Sequence, residues 1–299
     1  MTSTMNHIRE DAWGLTEGDE LAAGLTALRW LGGGAAYDVY LAFDEDTYGP
    51  VVVKLVRPQQ VDNESTLRGL RREIDALERV RHPAVVRSLR HDLDGPRPHV
   101  VLEHLDGPRL STLVRRYGPL QPQQYLPLAI EVASALHHFR RLGLVHLDVK
   151  PSNIIMGAPA RLIDLSVMRT VEDAAALRYP IGTDAYMAPE QCDPPSTGIP
   201  GVASDVWGLG ATLHEAVTGE KPFPEGDPDA DDVADRFPQL VTAPAPVRVD
   251  APGEVVELID ACLSPDPEAR PLPHEIVDRL EPVLVALPRG HLAGFRLKG

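Results

Sequence analysis

Three polar residues in the run His146-Leu147-Asp148-Val149-Lys150-Pro151-Ser152-Asn153 could share one reaction. Asp148 could accept the proton of a hydroxyl, Lys150 could neutralise a phosphoryl oxygen, and Asn153 could hold a divalent cation through its amide oxygen. That set is equipped for phosphoryl transfer; taken as spacing alone, it is also a polar turn. A further acid, Asp164, closes the apolar run Leu162-Ile163, where a lone aspartate is ordinarily a cap or turn residue. Lys54 sits in the middle of Val51-Val52-Val53-Lys54-Leu55-Val56. A lysine inside an apolar strand needs an anionic partner to offset its desolvation, either nucleotide phosphates or a carboxylate from the next helix.

The elements around these residues follow from periodicity. Leu128, Val132, Ala135, Leu136 and Phe139 recur at helical spacing, and Ile154-Ile155-Met156 reads as a strand, so the polar run is a loop held between two rigid pieces. From Leu25 the pattern is strand, turn, strand, with Gly32-Gly33-Gly34 at the turn. Glycines there would let backbone approach phosphate oxygens, although a glycine cluster also marks an ordinary hairpin. Leu67, Leu70, Ile74 and Leu77 predict a helix over 68–81 with Glu73 beside its apolar face, and Val100 to Glu103 a strand. Residues 108–139 read as helix, turn at Tyr117-Gly118-Pro119, and a longer helix. Ser204 to Gly210 opens a buried helix, with Asp205 a candidate N-cap. Residues 1–24 read as an extension with a possible helical turn around Asp19 to Ala23.

The composition narrows the classes. Lys+Arg 29 against Asp+Glu 44 over 299 residues gives a formal charge of −15, which disfavours nucleic acid as a partner. The acidic, proline-bearing stretch 225–235 is most simply a solvated loop, with a dock for basic substrates as the alternative. Two distant cysteines form neither a disulfide framework nor a zinc pattern, and a reducing compartment is expected. No apolar run is long enough to span a membrane, and the first 18 residues lack a signal-peptide core, so a cytoplasmic protein is expected.

The loop around Asp148 resembles H-R-D-L-K-P-x-N, the catalytic loop of the eukaryotic-like serine/threonine protein kinases, and the other motifs follow in that family's order. Gly32, Gly34 and Val39 match G-x-G-x-x-G-x-V; Lys54 matches V-A-I-K; His82-Pro83 follows the helix bearing Glu73. Asp164-Leu165-Ser166 stands at D-F-G, and Gly182-Thr183-Asp184-Ala185-Tyr186-Met187-Ala188-Pro189-Glu190 at G-T-x-x-Y-x-A-P-E. The resemblance covers about residues 25–285. It implies an α+β bilobal fold, with a small antiparallel sheet and one main helix in the N-lobe and a mostly helical C-lobe. Its divisions would be an extension (1–24), N-lobe and hinge (25–106), C-lobe (107–285) and tail (286–299, with Arg289, Arg296 and Lys298). It implies ATP and Mg²⁺, or Mn²⁺, as cofactors, and protein substrates accepting phosphate on Ser or Thr, which Lys150 and Thr183 favour over Tyr.

By the same resemblance Lys54, paired with Glu73, reaches the α- and β-phosphates, Asp148 and Lys150 act on the transferred group, and Asn153 and Asp164 bind metal. Leu31, Gly32, Gly34, Val39, Val52, Leu102 and Ile155 enclose the nucleotide, while the Glu103 carbonyl and Leu105 amide meet the adenine edge. Thr183, Glu190, Asp205 and Arg270 are supports: Asp205 for the catalytic loop, Arg270 as the partner of Glu190. Val52 stands where the pattern prefers Ala, which should tighten the pocket slightly, and four more positions depart from it. Tyr37 replaces the third glycine and should stiffen or tilt the loop; Leu165 and Ser166 alter D-F-G, and Ser166 should restrict swings of that loop. Leu147 replaces an arginine that would pair with a phosphorylated activation segment, so activity independent of that phosphorylation is expected. These departures also suit a pseudokinase that binds nucleotide or a partner. A small-molecule kinase is disfavoured by the long segment 182–190.

Overall fold

The computed structural model describes residues 12–287; residues 1–11 and the tail residues Arg289, Arg296 and Lys298 lie outside them. The N-lobe is a six-stranded antiparallel sheet in the order β1-β2-β3-β4-β6-β5. Its strands are β1 (Glu20–Ala22), β2 (Leu25–Gly33), β3 (Tyr37–Asp44), β4 (Gly49–Val56), β5 (Ser88–Asp92) and β6 (His99–Glu103). Burial alternates along β3: Asp38, Tyr40 and Ala42 are buried, while Tyr37, Val39 and Leu41 occupy the other, half-buried face. That period of two puts Val39 on the cleft side and Tyr40 and Ala42 into a small core with Leu25, Val51, Val53 and Val101.

Glu20–Ala22 is a strand where a helical turn was expected over 19–23. Leu21 is fully buried between more exposed neighbours, which is strand alternation, and three residues are too few to show it against a helical turn in sequence. The segment before it also packs on the lobe. Trp13 donates Nε1–H to the Val56 carbonyl at 2.8 Å, and the Arg97 guanidinium stacks 4.9 Å from its ring and bonds the Glu20 carbonyl at 2.7 Å. A chain shortened to begin at Leu25 loses both Trp13 and Leu21, so it is expected to be at least about 3 kcal/mol less stable, or roughly 6 °C in Tm. Thermal unfolding checks this, and an unchanged midpoint would refute it.

Helix α1 (Glu64–Arg79) begins where the Asn63 side chain accepts from the Ser65 and Thr66 amides. It buries Leu70, Ile74 and Leu77 at helical spacing. Below the hinge lie α2 (Leu110–Tyr117), α3 (Pro122–Arg141), α4 (Val171–Ala175), α5 (Val202–Thr218), α6 (Gly253–Cys262) and α7 (Pro273–Ala286). α5 is buried on nearly every side, as its run of apolar and small residues requires, and packs against α3 and α6. Between α3 and α5 run two short antiparallel pairs, β7 (Leu144–Val145) with β10 (Arg169–Thr170), and β8 (Ile154–Ile155) with β9 (Arg161–Leu162). The loop 146–153 is thereby fixed at both ends. The two-lobed α+β architecture is the one the resemblance implied.

Candidate active site

Lys54 is one link between the lobes. Its Nζ donates to Glu73 Oε2 at 2.7 Å and to Asp164 Oδ1 at 3.2 Å. The Glu73 side chain is 1% exposed and that of Asp164 41%, so the first carboxylate is spent on the lysine and the second still faces the cleft. Burial alone would lower the Lys54 ammonium, but Glu73 and Asp164 outweigh it and hold the group charged, above its ordinary range. Burial would likewise raise the Asp164 carboxyl; Lys54 and bonds from Ser166 hold it well below the usual carboxylate range.

In the loop, Asp148 Oδ2 accepts from Lys150 Nζ at 2.7 Å and from Asn153 Nδ2 at 2.9 Å, and Oδ1 accepts from the Thr183 hydroxyl at 2.7 Å. Lys150 also donates to the Thr183 oxygen at 2.5 Å. Asn153 thus turns its amide nitrogen to Asp148 and leaves its oxygen for another partner. Between Asn153 and Lys54 lies a cleft of about 330 Å³, whose lining includes neither Asp148 nor Lys150. Leu31, Val39, Val52, Leu102, Glu103, Leu105, Ile155, Asn153 and Asp164 all line it with Lys54 and Glu73. Gly32 and Gly34 do not: Gly32 lies near the end of β2, paired with Val39, and Gly34 is in the hairpin turn, which its amide closes on the Tyr37 carbonyl at 2.9 Å.

The chain matches the protein kinase domain family over residues 25–280. It belongs to the protein kinase domain family. Among its relatives are the serine/threonine-protein kinase PknB of Mycobacterium leprae, 33% identical over 202 residues, and the probable serine/threonine-protein kinase PkwA of Thermomonospora curvata, 32% identical over 253. PknB of Mycobacterium tuberculosis is 32% identical over 210 residues. These alignments cover 64%, 84% and 66% of this chain but 32%, 33% and 33% of the relatives, so the chain spans about a third of their length.

In this kinase domain a buried carboxylate helps to hold the loop 146–153. Asp205 accepts from two successive N–H groups, those of His146 and Leu147, at 2.8 and 2.7 Å, and Leu147 takes a φ of 65°. The N-cap of α5 is Gly201, so Asp205 lies a turn inside the helix and the capping alternative does not hold. Burial pushes the Asp205 carboxyl up to about 7, against the pull of those two amides. A folded value above the unfolded one contributes stability that is complete below about pH 4 and lost as pH rises through about 7. Wild type is therefore expected to lose unfolding free energy relative to Asp205→Asn between about pH 4.5 and 8, read by urea denaturation. A pH-independent difference would contradict that.

Glu190 and Arg270 form a bidentate pair at 2.6 and 3.0 Å with both side chains fully buried. Leu165 is fully buried, and Ser166 is accommodated without the left-handed backbone that would need glycine. Sequence reasoning missed several cleft residues, among them Arg29, His104, Gly107 and Arg109. Gly107 carries a readable reason: at φ 130° its Cβ would lie 2.0 Å from the Met156 carbonyl oxygen. It also missed the clamp on the hinge, where the Glu103 carboxylate takes Arg87 at 3.0 Å and Arg161 at 3.0 Å. Among the described residues no group of three His, Cys, Asp or Glu side chains could hold a metal by itself, and no helix is long and apolar enough to cross a membrane.

Proposed function

We propose that this domain transfers the γ-phosphoryl group of ATP to Ser or Thr hydroxyls of protein substrates. The observation that carries the reading is the convergence of Lys54, Glu73, Asp164 and Asn153 on one apolar-walled cleft, with Asp148 bonded to Asn153 beside it. The apolar walls at Leu31, Val39, Val52, Leu102 and Ile155 suit an adenine ring, with the Glu103 carbonyl and Leu105 amide at its edge. Lys54, steadied by Glu73, binds the α- and β-phosphates beneath the loop bearing Gly32 and Gly34. Asp164 and Asn153 offer one carboxylate and one amide oxygen, the donor set of a hard cation such as Mg²⁺ or Mn²⁺ that takes its remaining ligands from phosphate and water. A bound cation would neutralise charge on the phosphate oxygens. Asp148 orients and deprotonates the acceptor hydroxyl, and Lys150 steadies the transferred group. Two free, buried cysteines are compatible with a cytoplasmic setting.

Incubation with γ-labelled ATP and a basic acceptor protein, followed by acid hydrolysis, is expected to yield phosphoserine and phosphothreonine. Nucleotide binding with no transfer under any divalent metal would instead establish the scaffold reading, and phosphotyrosine alone would refute the acceptor class.

The same proposal includes independence from activation-segment phosphorylation. Leu147 is buried in an apolar cluster with Val145, Ala174 and Leu177, against Val171 and Ile181. That contact anchors α4 by burial where an arginine would need a phosphate. Thr170 caps α4 through a 3.0 Å bond from the Asp173 amide. Phosphatase-treated wild type and Thr170→Asn, which keeps a capping oxygen, are expected to turn over within about twofold of untreated protein. A tenfold or greater loss after phosphatase treatment would count against it.

A further inference from the structure

Tyr37 fills the place of the glycine-rich loop's third glycine, and its side chain crosses to helix α1. The hydroxyl donates to the Thr66 carbonyl oxygen at 2.9 Å, and the ring centroid lies 4.8 Å from Lys54 Nζ. Gly69 stands opposite: a Cβ there would approach the Tyr37 hydroxyl to 3.3 Å. Glycine is unfavourable inside a helix, so an out-of-pattern tyrosine facing a helix glycine marks a fitted contact.

The placement has mechanical meaning. Thr66 and Glu73 are seven residues apart, two turns along one side of α1. Leu70, Ile74 and Leu77 and the Lys54–Glu73 pair hold the middle and end of the helix, and the Tyr37 contact adds an attachment at its first turn. The turn itself is rigid, since Asn63 caps it and the Thr66 hydroxyl donates to Gln60 Oε1 at 2.9 Å. The other end of the strap is rigid too, because Tyr37 pairs with Val56 in the sheet.

We propose that Tyr37 is a positioning residue for phosphoryl transfer, strapping the glycine-rich hairpin to the first turn of α1 and covering Lys54, so that the Lys54–Glu73 pair stays formed in the free domain. The proposal rests on the phosphoryl-transfer reading for its consequence, though the strap exists without nucleotide. Burial pushes the Tyr37 hydroxyl up, which keeps it a donor.

Two variants separate the parts: Tyr37→Phe keeps the ring and removes the donor, and Tyr37→Gly restores the residue of the motif and removes both. Hydrogen exchange of the 64–70 amides, measured without nucleotide, reads the strap; wild-type turnover reads phosphoryl transfer independently. Tyr37→Phe is expected to speed exchange at 64–70 and to lower kcat about 3- to 10-fold, the worth of one hydrogen bond, with KM for the acceptor protein unchanged. Tyr37→Gly should lose more. Tyr37→Gly turning over as fast as wild type, or unchanged exchange at 64–70 in both variants, would overturn the proposal. A wild type that never transfers phosphate, yet shows the exchange difference, would leave the strap standing and remove the transfer reading.

Discussion

An Asp148→Asn variant is expected to transfer phosphate about 10²- to 10⁴-fold more slowly than wild type while remaining folded. The carboxylate accepts three side-chain bonds, from Lys150, Asn153 and Thr183. Asparagine supplies one oxygen and turns N–H groups toward partners that already donate. It removes the base, and it also leaves the Lys150 ammonium without its counter-charge at 2.7 Å. A loss of that size corresponds to about 3–5 kcal/mol in the barrier, more than one neutral hydrogen bond supplies, so the loss of charge dominates the loss of contact. Initial rates at saturating MgATP, with a circular dichroism spectrum to establish folding, decide it. A folded variant retaining a tenth or more of the wild-type rate would show that Asp148 does not carry the proton.

Arg270→Ala is expected to destabilise the fold by about 3–5 kcal/mol, because it leaves the Glu190 carboxylate buried and uncompensated. The guanidinium makes the bidentate pair and also donates to the Ser264 and Ala203 carbonyls, at 2.8 and 2.9 Å, with its plane 5.0 Å from the Trp207 ring. Ser204 donates to the same Glu190 oxygen as Arg270 at 2.7 Å, so one residue ties the end of segment 182–190 to the start of α5. At about 2–4 °C per kcal/mol the midpoint should fall by roughly 10 °C. Replacing both partners, Glu190→Leu with Arg270→Met, should recover much of the loss, since it leaves no unpaired charge. Chemical denaturation of the three variants checks this; a cost under about 1 kcal/mol for Arg270→Ala would mean that the pair is dispensable.

What the sequence makes legible is what chemistry forces. A lysine in an apolar strand needed an anion, and Glu73 supplies one within hydrogen-bond reach. Asp148, Asn153, Asp164 and Asp205 stood out because the motifs that hold them resemble, in order and spacing, those of the protein kinases. The remainder depends on contacts between distant residues with no local signature. Tyr37 reaches Thr66 across 29 positions, and Glu103 is clamped by Arg87, just before β5, and by Arg161 on β9. The strand at Glu20–Ala22 is too short to register a period, and its register is set by β2. Leu147 looked like the loss of a phosphate ligand, while its contribution to an apolar cluster required knowing where α4 packs.

An ATP acyl-phosphate, which acylates lysines lying beside bound phosphates, measures most directly whether Lys54 stands at the phosphates of a nucleotide in this cleft. Mass mapping is expected to place the label on Lys54, with excess MgATP suppressing it and Glu73→Gln reducing it. Label confined to Lys221, or label on Lys54 that MgATP leaves untouched, would contradict the account.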